Sequence, residues 1–235
     1  MKGKAIFIAG TDTEVGKTLV TGLLAHYLSN RGLEVVTQKW IQTGCSNSSS
    51  DIKMHLEIMG RKISEYRKIF QMISPYILKF PASPHLSVRF QKVRISKKRI
   101  KSSLFKLCSL FELVLVEGTG GLLVPFNSKE LILDVVEELN LPILLVVGNR
   151  LGAINHSLLS IESIRGRNLK LIGLIFNNLS FKTNRLILRD NSFIAEKISR
   201  VRVLGTLPRF EGKNYPYQEF ASIGAKVYNW LKRNG

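Results

Sequence analysis

Acidic residues are scarce in this sequence. Seventeen Asp and Glu face 35 Lys and Arg among 235 residues, a formal charge of +18 at pH 7 and a pI near 10.1. On electrostatics alone the excess favours anionic partners: phosphates, nucleic acid or a membrane surface. Cysteine is nearly missing too. Cys45 and Cys108 stand far apart, with neither a Cys-x-x-Cys nor a Cys/His spacing, which argues against a disulfide framework or a zinc site and for buried or incidental thiols. No stretch approaches the roughly 18 apolar residues of a bilayer span. The apolar opening Ala5-Ile6-Phe7-Ile8-Ala9 stops at Gly10, too short for a signal-peptide core, so a cytoplasmic chain is expected. Internal repeats and Pro/Gly/Ser-rich linkers are likewise missing. With a soft prior of roughly 150 residues per domain that tolerates larger ones, the whole of 1–235 is expected to form one domain.

What is present is a globular composition, 45% hydrophobic and 22% charged, which excludes global disorder. Short β-branched runs recur at 4–9, 35–38, 113–117, 143–148, 171–177 and 201–205. Several are apolar at consecutive positions, as parallel strands covered on both faces require. Helical patterns fall between them at 16–30, 51–59, 131–139, 155–165, 185–199 and 221–231. The alternation predicts a doubly wound α/β layer structure with a mostly parallel sheet flanked by helices on both faces. Residues 61–106 fit the pattern least, since Pro75, Pro81 and Pro84 interrupt them and a basic run follows.

The strongest signal follows the first strand: Gly10-Thr11-Asp12-Thr13-Glu14-Val15-Gly16-Lys17-Thr18, entering a helix at Leu19. A strand, a turn ending Gly-Lys-Thr and a helix let successive backbone N–H groups surround phosphate oxygens. Lys17 would neutralise the outer phosphates and the Thr18 hydroxyl would hold magnesium. The strict pattern asks for glycine where Thr11 stands, and Gly10 comes one residue early. Magnesium needs further oxygen ligands. Glu117 ends the apolar strand Leu113-Val114-Leu115-Val116 and runs into Gly118-Thr119-Gly120-Gly121, at the carboxyl edge where open α/β folds bind ligands. Asp51, after Ser48-Ser49-Ser50, reads equally well as a helix N-cap.

Taken together, Gly10 to Thr18, Lys39-Trp40-Ile41-Gln42-Thr43-Gly44, Ser83-Pro84-His85, Val116 to Gly121 and Val147 to His156 resemble dethiobiotin synthetase, in that family's order. The resemblance covers residues 4 to about 210 and implies a P-loop NTPase-like fold. It implies an ATP-dependent ligase that carboxylates 7,8-diaminononanoate with carbon dioxide and closes a cyclic urea through a carbamic–phosphoric anhydride, in biotin biosynthesis. By the same resemblance Lys39 and Lys17 are catalytic, and Thr18, Asp51 and Glu117 bind magnesium. Glu14, Val15, Gly16, Lys17, Thr18 and Leu19, with Asp51, Glu117, Gly118, Thr119 and Gly120, serve the nucleotide phosphates. Asn177, Asn178, Pro208, Arg209 and Phe210 match base-binding segments, and Thr43 matches a hydroxyl on the diamine. The helix start Gly152-Ala153-Ile154-Asn155 is implied to meet the substrate carboxylate across a homodimer with shared active sites. Trp40 replaces the usual proline and Thr119 the usual alanine.

The basic segment comprises Arg89, Lys92, Arg94, Lys97, Lys98, Arg99, Lys101 and Lys106. It lacks interleaved aromatic residues and any nucleic-acid motif, and reads as a solvated helix face. Neither nucleic acid nor membrane is therefore an expected partner. The alternative is a partitioning-type P-loop ATPase acting on DNA or membrane. Those ATPases carry a lysine early in the loop, where Asp12 stands here, and the alternative gives Lys39 and the Gly152 helix start no task.

Overall fold

A computed structural model describes residues 3–234. The chain runs β1 (Lys4–Gly10), α1 (Lys17–Ser29), β2 (Val35–Lys39), β3 (Ile41–Thr43) and α2 (Ser50–Ile58). A 3₁₀ turn (Ile63–Ile69) then leads to α3 (Phe70–Ile73), β4 (Tyr76–Leu78), α4 (Pro84–Gln91), α5 (Lys97–Leu110) and β5 (Leu113–Glu117). It closes with α6 (Ile132–Glu138), β6 (Ile143–Asn149), α7 (Ala153–Arg165), β7 (Leu171–Asn178), α8 (Arg185–Ser199), β8 (Val203–Leu207) and α9 (Tyr217–Arg233).

Six strands form one parallel sheet in the order β2-β5-β1-β6-β7-β8. Because side chains alternate across a strand, β1 feeds two cores. Ile6 and Ile8 join Leu19, Leu23 and Leu24 of α1 and Phe220, Ile223 and Val227 of α9 on one face. Phe7 joins Leu104 and Leu107 of α5, Val135 of α6 and Ile161 of α7 on the other. The consecutive apolar positions of β1, β5 and β6 are thus explained by burial on both sides, each fully buried Ile, Leu or Val contributing about 1.5–3 kcal/mol.

The predicted elements are found with shifted ends. The strand expected at 201–205 lies at Val203–Leu207, and the helix expected from 155 starts at Ala153. In 61–106 the structure adds what the pattern did not reveal: a separate two-stranded parallel sheet, Ile41 opposite Tyr76 and Thr43 opposite Leu78. Pro84 occupies the first turn of α4, where a missing N–H costs nothing. The basic run divides between α4 and α5, with Lys98, Arg99 and Lys106 of α5 exposed and Ile100, Leu104 and Leu107 buried. That is the solvated helix face expected. No helix of the described residues is long and apolar enough to cross a membrane.

Candidate active site

β1 lies between β5 and β6, where the direction of strand succession reverses, so its carboxyl end opens into a crevice. The glycine loop occupies that crevice. Glu14 (φ 57°) and Gly16 (φ 97°) both take the left-handed conformation, which turns successive N–H groups inward ahead of α1. Gly16 is constrained twice, because a Cβ there would also lie 2.2 Å from Asn177 Nδ2. That nitrogen donates to the Val15 carbonyl at 3.0 Å, and Val15 itself is buried in the core, so β7 and the core together clamp the loop. Lys17 reaches back to donate to the Asp12 carbonyl at 2.7 Å. The Asp12 carboxylate accepts from the Thr13 N–H and pairs with Arg150 at 2.9 Å.

Beside the loop stands a buried charge cluster. Lys39, the last residue of β2, places Nζ 2.6 Å from Asp51 Oδ2 and 2.7 Å from Glu117 Oε1, and donates to the Gly118 carbonyl at 2.9 Å. The Thr18 hydroxyl donates to the same Glu117 oxygen at 3.0 Å. Glu117 Oε2 lies 2.7 Å from His55 Nε2. Register explains the meeting: Lys39 and Glu117 are partners on adjacent parallel strands. Burial works against charge on Glu117, yet Lys39 and His55 hold its carboxyl far below the ordinary range. Burial likewise works against charge on Lys39, but Glu117 and Asp51 raise its pKa above that of a free lysine. Lys17 behaves differently. Burial and the like charge of Lys39 lower its pKa to about 8.

Asp51 is not the N-cap of α2. Ser49 caps the helix, its Oγ accepting from the Ile52 N–H at 3.2 Å while donating to Gln42 Oε1 at 2.8 Å. Gln42 Oε1 also accepts from the Asp51 N–H. Asp51 is thereby freed to face Lys39 from the first turn. Both departures from the family pattern are accommodated. Trp40 is buried against Phe7, ring centroids 5.3 Å apart, and its indole N–H donates to Gln38 Oε1 at 2.9 Å. The Thr119 hydroxyl donates to the Ile41 carbonyl and ties the glycine-rich loop to β3.

A cleft of about 540 Å³ joins these parts. Glu14, Gly16, Lys17, Thr18, Leu19, Lys39, Thr43, Asp51, Glu117, Thr119, Gly120, Asn177, Arg209 and Phe210 all line it. Val15, Gly118 and Pro208 are not among the residues that line it. Asn178 is turned away from it, its Oδ1 accepting from Asn149 Nδ2 at 2.9 Å. Gly152, Ala153, Ile154 and Asn155 stand outside this cleft, at the start of α7 with Leu151 exposed beside them. Sequence reasoning missed His55, Gln42 and Arg150. For His55 a signal existed: Asp51 and His55 are four residues apart, hence on one face of α2.

Thr18, Asp51 and Glu117 present three hard oxygen donors on one wall of the cleft, the chemistry that magnesium prefers. The parallel sheet, its glycine loop and the Gly-Lys-Thr helix start define a P-loop nucleotide-binding protein, and a family model described as an AAA domain matches residues 4–214. Among relatives, an ATP-dependent dethiobiotin synthetase of Haemophilus influenzae is 41% identical, covering 74% of this chain and 91% of its own. One of Chlorobaculum tepidum is 39% identical over 85% and 83%. The chain belongs to the dethiobiotin synthetase family. Solved structures share the fold at low identity. A cobyrinic acid a,c-diamide synthase of Mycobacterium smegmatis with bound ADP and magnesium superposes with TM-score 0.61 at 16% identity, covering 98% of this chain and 96% of the other. A ParA family ATPase of Chlorobium tepidum gives 0.58 at 15%, covering both chains fully.

Proposed function

We propose that this protein is an ATP-dependent dethiobiotin synthetase: 7,8-diaminononanoate, carbon dioxide and ATP enter, and dethiobiotin, ADP and phosphate leave. The observation that carries the reading is the Lys39 ammonium held against Asp51, Glu117 and Gly118 in the same cleft as Lys17, Thr18 and Thr43.

One substrate amine captures carbon dioxide as a carbamate. Lys39 stabilises that anion, and its two carboxylate neighbours keep it cationic throughout the working pH range. The loop N–H groups and Lys17 hold the nucleotide phosphates, so the γ-phosphorus is fixed beside the carbamate oxygen. Attack by that oxygen forms a new O–P bond and breaks the bond to the β-phosphate oxygen, releasing ADP. The second amine then attacks the carbamoyl carbon, phosphate leaves, and the ring closes. Thr18, Asp51 and Glu117 would hold magnesium, which supplies positive charge to the phosphate oxygens when bound. Thr43 meets the diamine. Asn177, Arg209 and Phe210 meet the base, with backbone groups of Pro208 to Phe210 contributing.

The substrate carboxylate is assigned to Gly152 to Asn155 of a second copy, in a homodimer with shared sites. Two features support this assignment. Gly152 and Asn155 at the helix start are exposed and outside their own cleft, and Leu151 ahead of α7, Leu159 on α7, and Leu186 and Phe193 on α8 expose apolar surface. A partitioning ATPase leaves the Lys39 cluster without work. Purified protein is expected to release phosphate from ATP when diamine and carbon dioxide are both supplied. Release that ignores either one overturns the reading.

A further inference from the structure

We propose that His55 is a positioning residue for this reaction: it holds one oxygen of Glu117 so that the other alone serves the cleft. The proposal rests on the reading of Glu117 as a magnesium ligand.

His55 is completely buried, and Glu117 is 1% exposed. The ionised carboxylate only accepts, so Nε2 carries the hydrogen and donates to Oε2 across 2.7 Å. Oε1 is left to receive Lys39 at 2.7 Å and Thr18 at 3.0 Å. The two oxygens therefore have separate tasks. The other ring nitrogen, Nδ1, has no hydrogen-bond partner among the described residues. A buried polar atom left unpaired costs free energy, and an aliphatic side chain beside Ile52 and Leu56 would avoid that cost. Packing alone gives no reason for histidine here, whereas the bond to Glu117 does.

Placement on α2 strengthens the case. Asp51 and His55 lie one turn apart, so a single helix, pinned by Ser49 and Gln42, delivers one carboxylate directly and steers the second through His55. Without that bond the Glu117 carboxylate is free to rotate and offer both oxygens to the Lys39 ammonium. Such a chelating pair would compete with metal at Glu117 and draw Lys39 away from the carbamate. Hydrogen-bond partners of metal ligands commonly change metal affinity by about 10–100-fold when removed.

The test uses side-chain reach. Gln at position 55 carries its amide nitrogen close to the place of Nε2, and Asn stops short. Magnesium is titrated calorimetrically into full-length protein holding a non-hydrolysable ATP analogue, with thermal unfolding followed in parallel. His55→Asn is expected to raise the magnesium concentration for half-saturation about tenfold, and His55→Gln to restore it to within about threefold. His55→Leu, which fills the space without donating, is expected to match Asn and replaces it if the Asn variant does not fold. Equal weakening by Gln and Asn would leave packing as the explanation and overturn the proposal. Unchanged affinity in the Asn and Leu variants, with affinity lost in Glu117→Gln, overturns the role of His55 alone. Unchanged affinity in Glu117→Gln removes the magnesium-ligand reading itself, and the proposal with it.

Discussion

Lys17 and Lys39 carry two of the 35 positive charges, whereas residues 89–106 carry eight. The two are buried, 6% and 4% exposed, and each has named partners within 3 Å. In the basic segment, Lys97 pairs with Glu130 and Glu138, Lys101 with Glu138, and Arg99 stands over the Tyr76 ring, while Lys92, Arg94 and Lys98 point into solvent. A unit charge in water at physiological salt is screened within roughly 8 Å. The same charge in a water-poor cleft interacts several-fold more strongly. Abundance of charge and chemical use of charge are therefore different properties, and here they lie in different parts of the molecule.

Removing a buried cation should have the largest effect. Lys39→Ala is expected to lower turnover by about 10²–10³-fold or more, with ATP affinity changed no more than about threefold. Equal loss of turnover and ATP affinity would erase the proposed division between carbamate and phosphate lysines. Because the substitution leaves Asp51 and Glu117 without their cation, it should also lower the melting temperature.

Lys17 offers a subtler measurement. Its folded pKa, about 8, lies below the ordinary 10.5, so between those values the unfolded chain binds more protons and stability rises with pH. Nucleotide binding runs the other way. Phosphate favours the ammonium form, so binding takes up a proton and weakens as pH climbs past 8, approaching a tenfold loss per unit. Calorimetry in buffers of different ionisation enthalpy checks this, and zero proton uptake at pH 8.5 would contradict it. Lys39→Ala should move the onset to higher pH, because Lys39 is one of the depressing charges.

The smallest effect belongs to the surface. The triple change Lys92→Glu, Arg94→Glu and Lys98→Glu is expected to leave kcat/KM within about twofold, and each change to alter stability by no more than about 0.5 kcal/mol. A tenfold fall in on-rate that salt abolishes would mean the segment steers ligands, and the contrast between the regions would break.

Legibility followed the range of the contacts. β1, β5 and β6 were readable because burial on both faces leaves an unbroken apolar run, and the glycine loop because its conformation is local. Lys39, Asp51 and Glu117 needed family resemblance to be brought together, since strand register joins residues 78 positions apart. The β3–β4 pair stayed hidden, having three residues in each strand and no periodicity to display. Asp51 was ambiguous beside Ser49 because either residue type can cap a helix, and the Gln42 bond that decides it comes from β3. Asn177 reads as turn chemistry until its partner in the loop is seen.

The central position of β1 has a consequence for synthesis on the ribosome. Its two neighbours are β5 and β6, so β1 stays unflanked until the chain has been made through β5 on one side and β6 on the other. With emergence at about 5–20 residues per second, the glycine loop waits on the order of ten seconds for the strands that hold it. The nascent amino-terminal segment carries the phosphate-loop sequence throughout that interval without the phosphate-binding shape. Nucleotide can therefore act on this chain as a reporter of completed folding, but not as a template for its beginning.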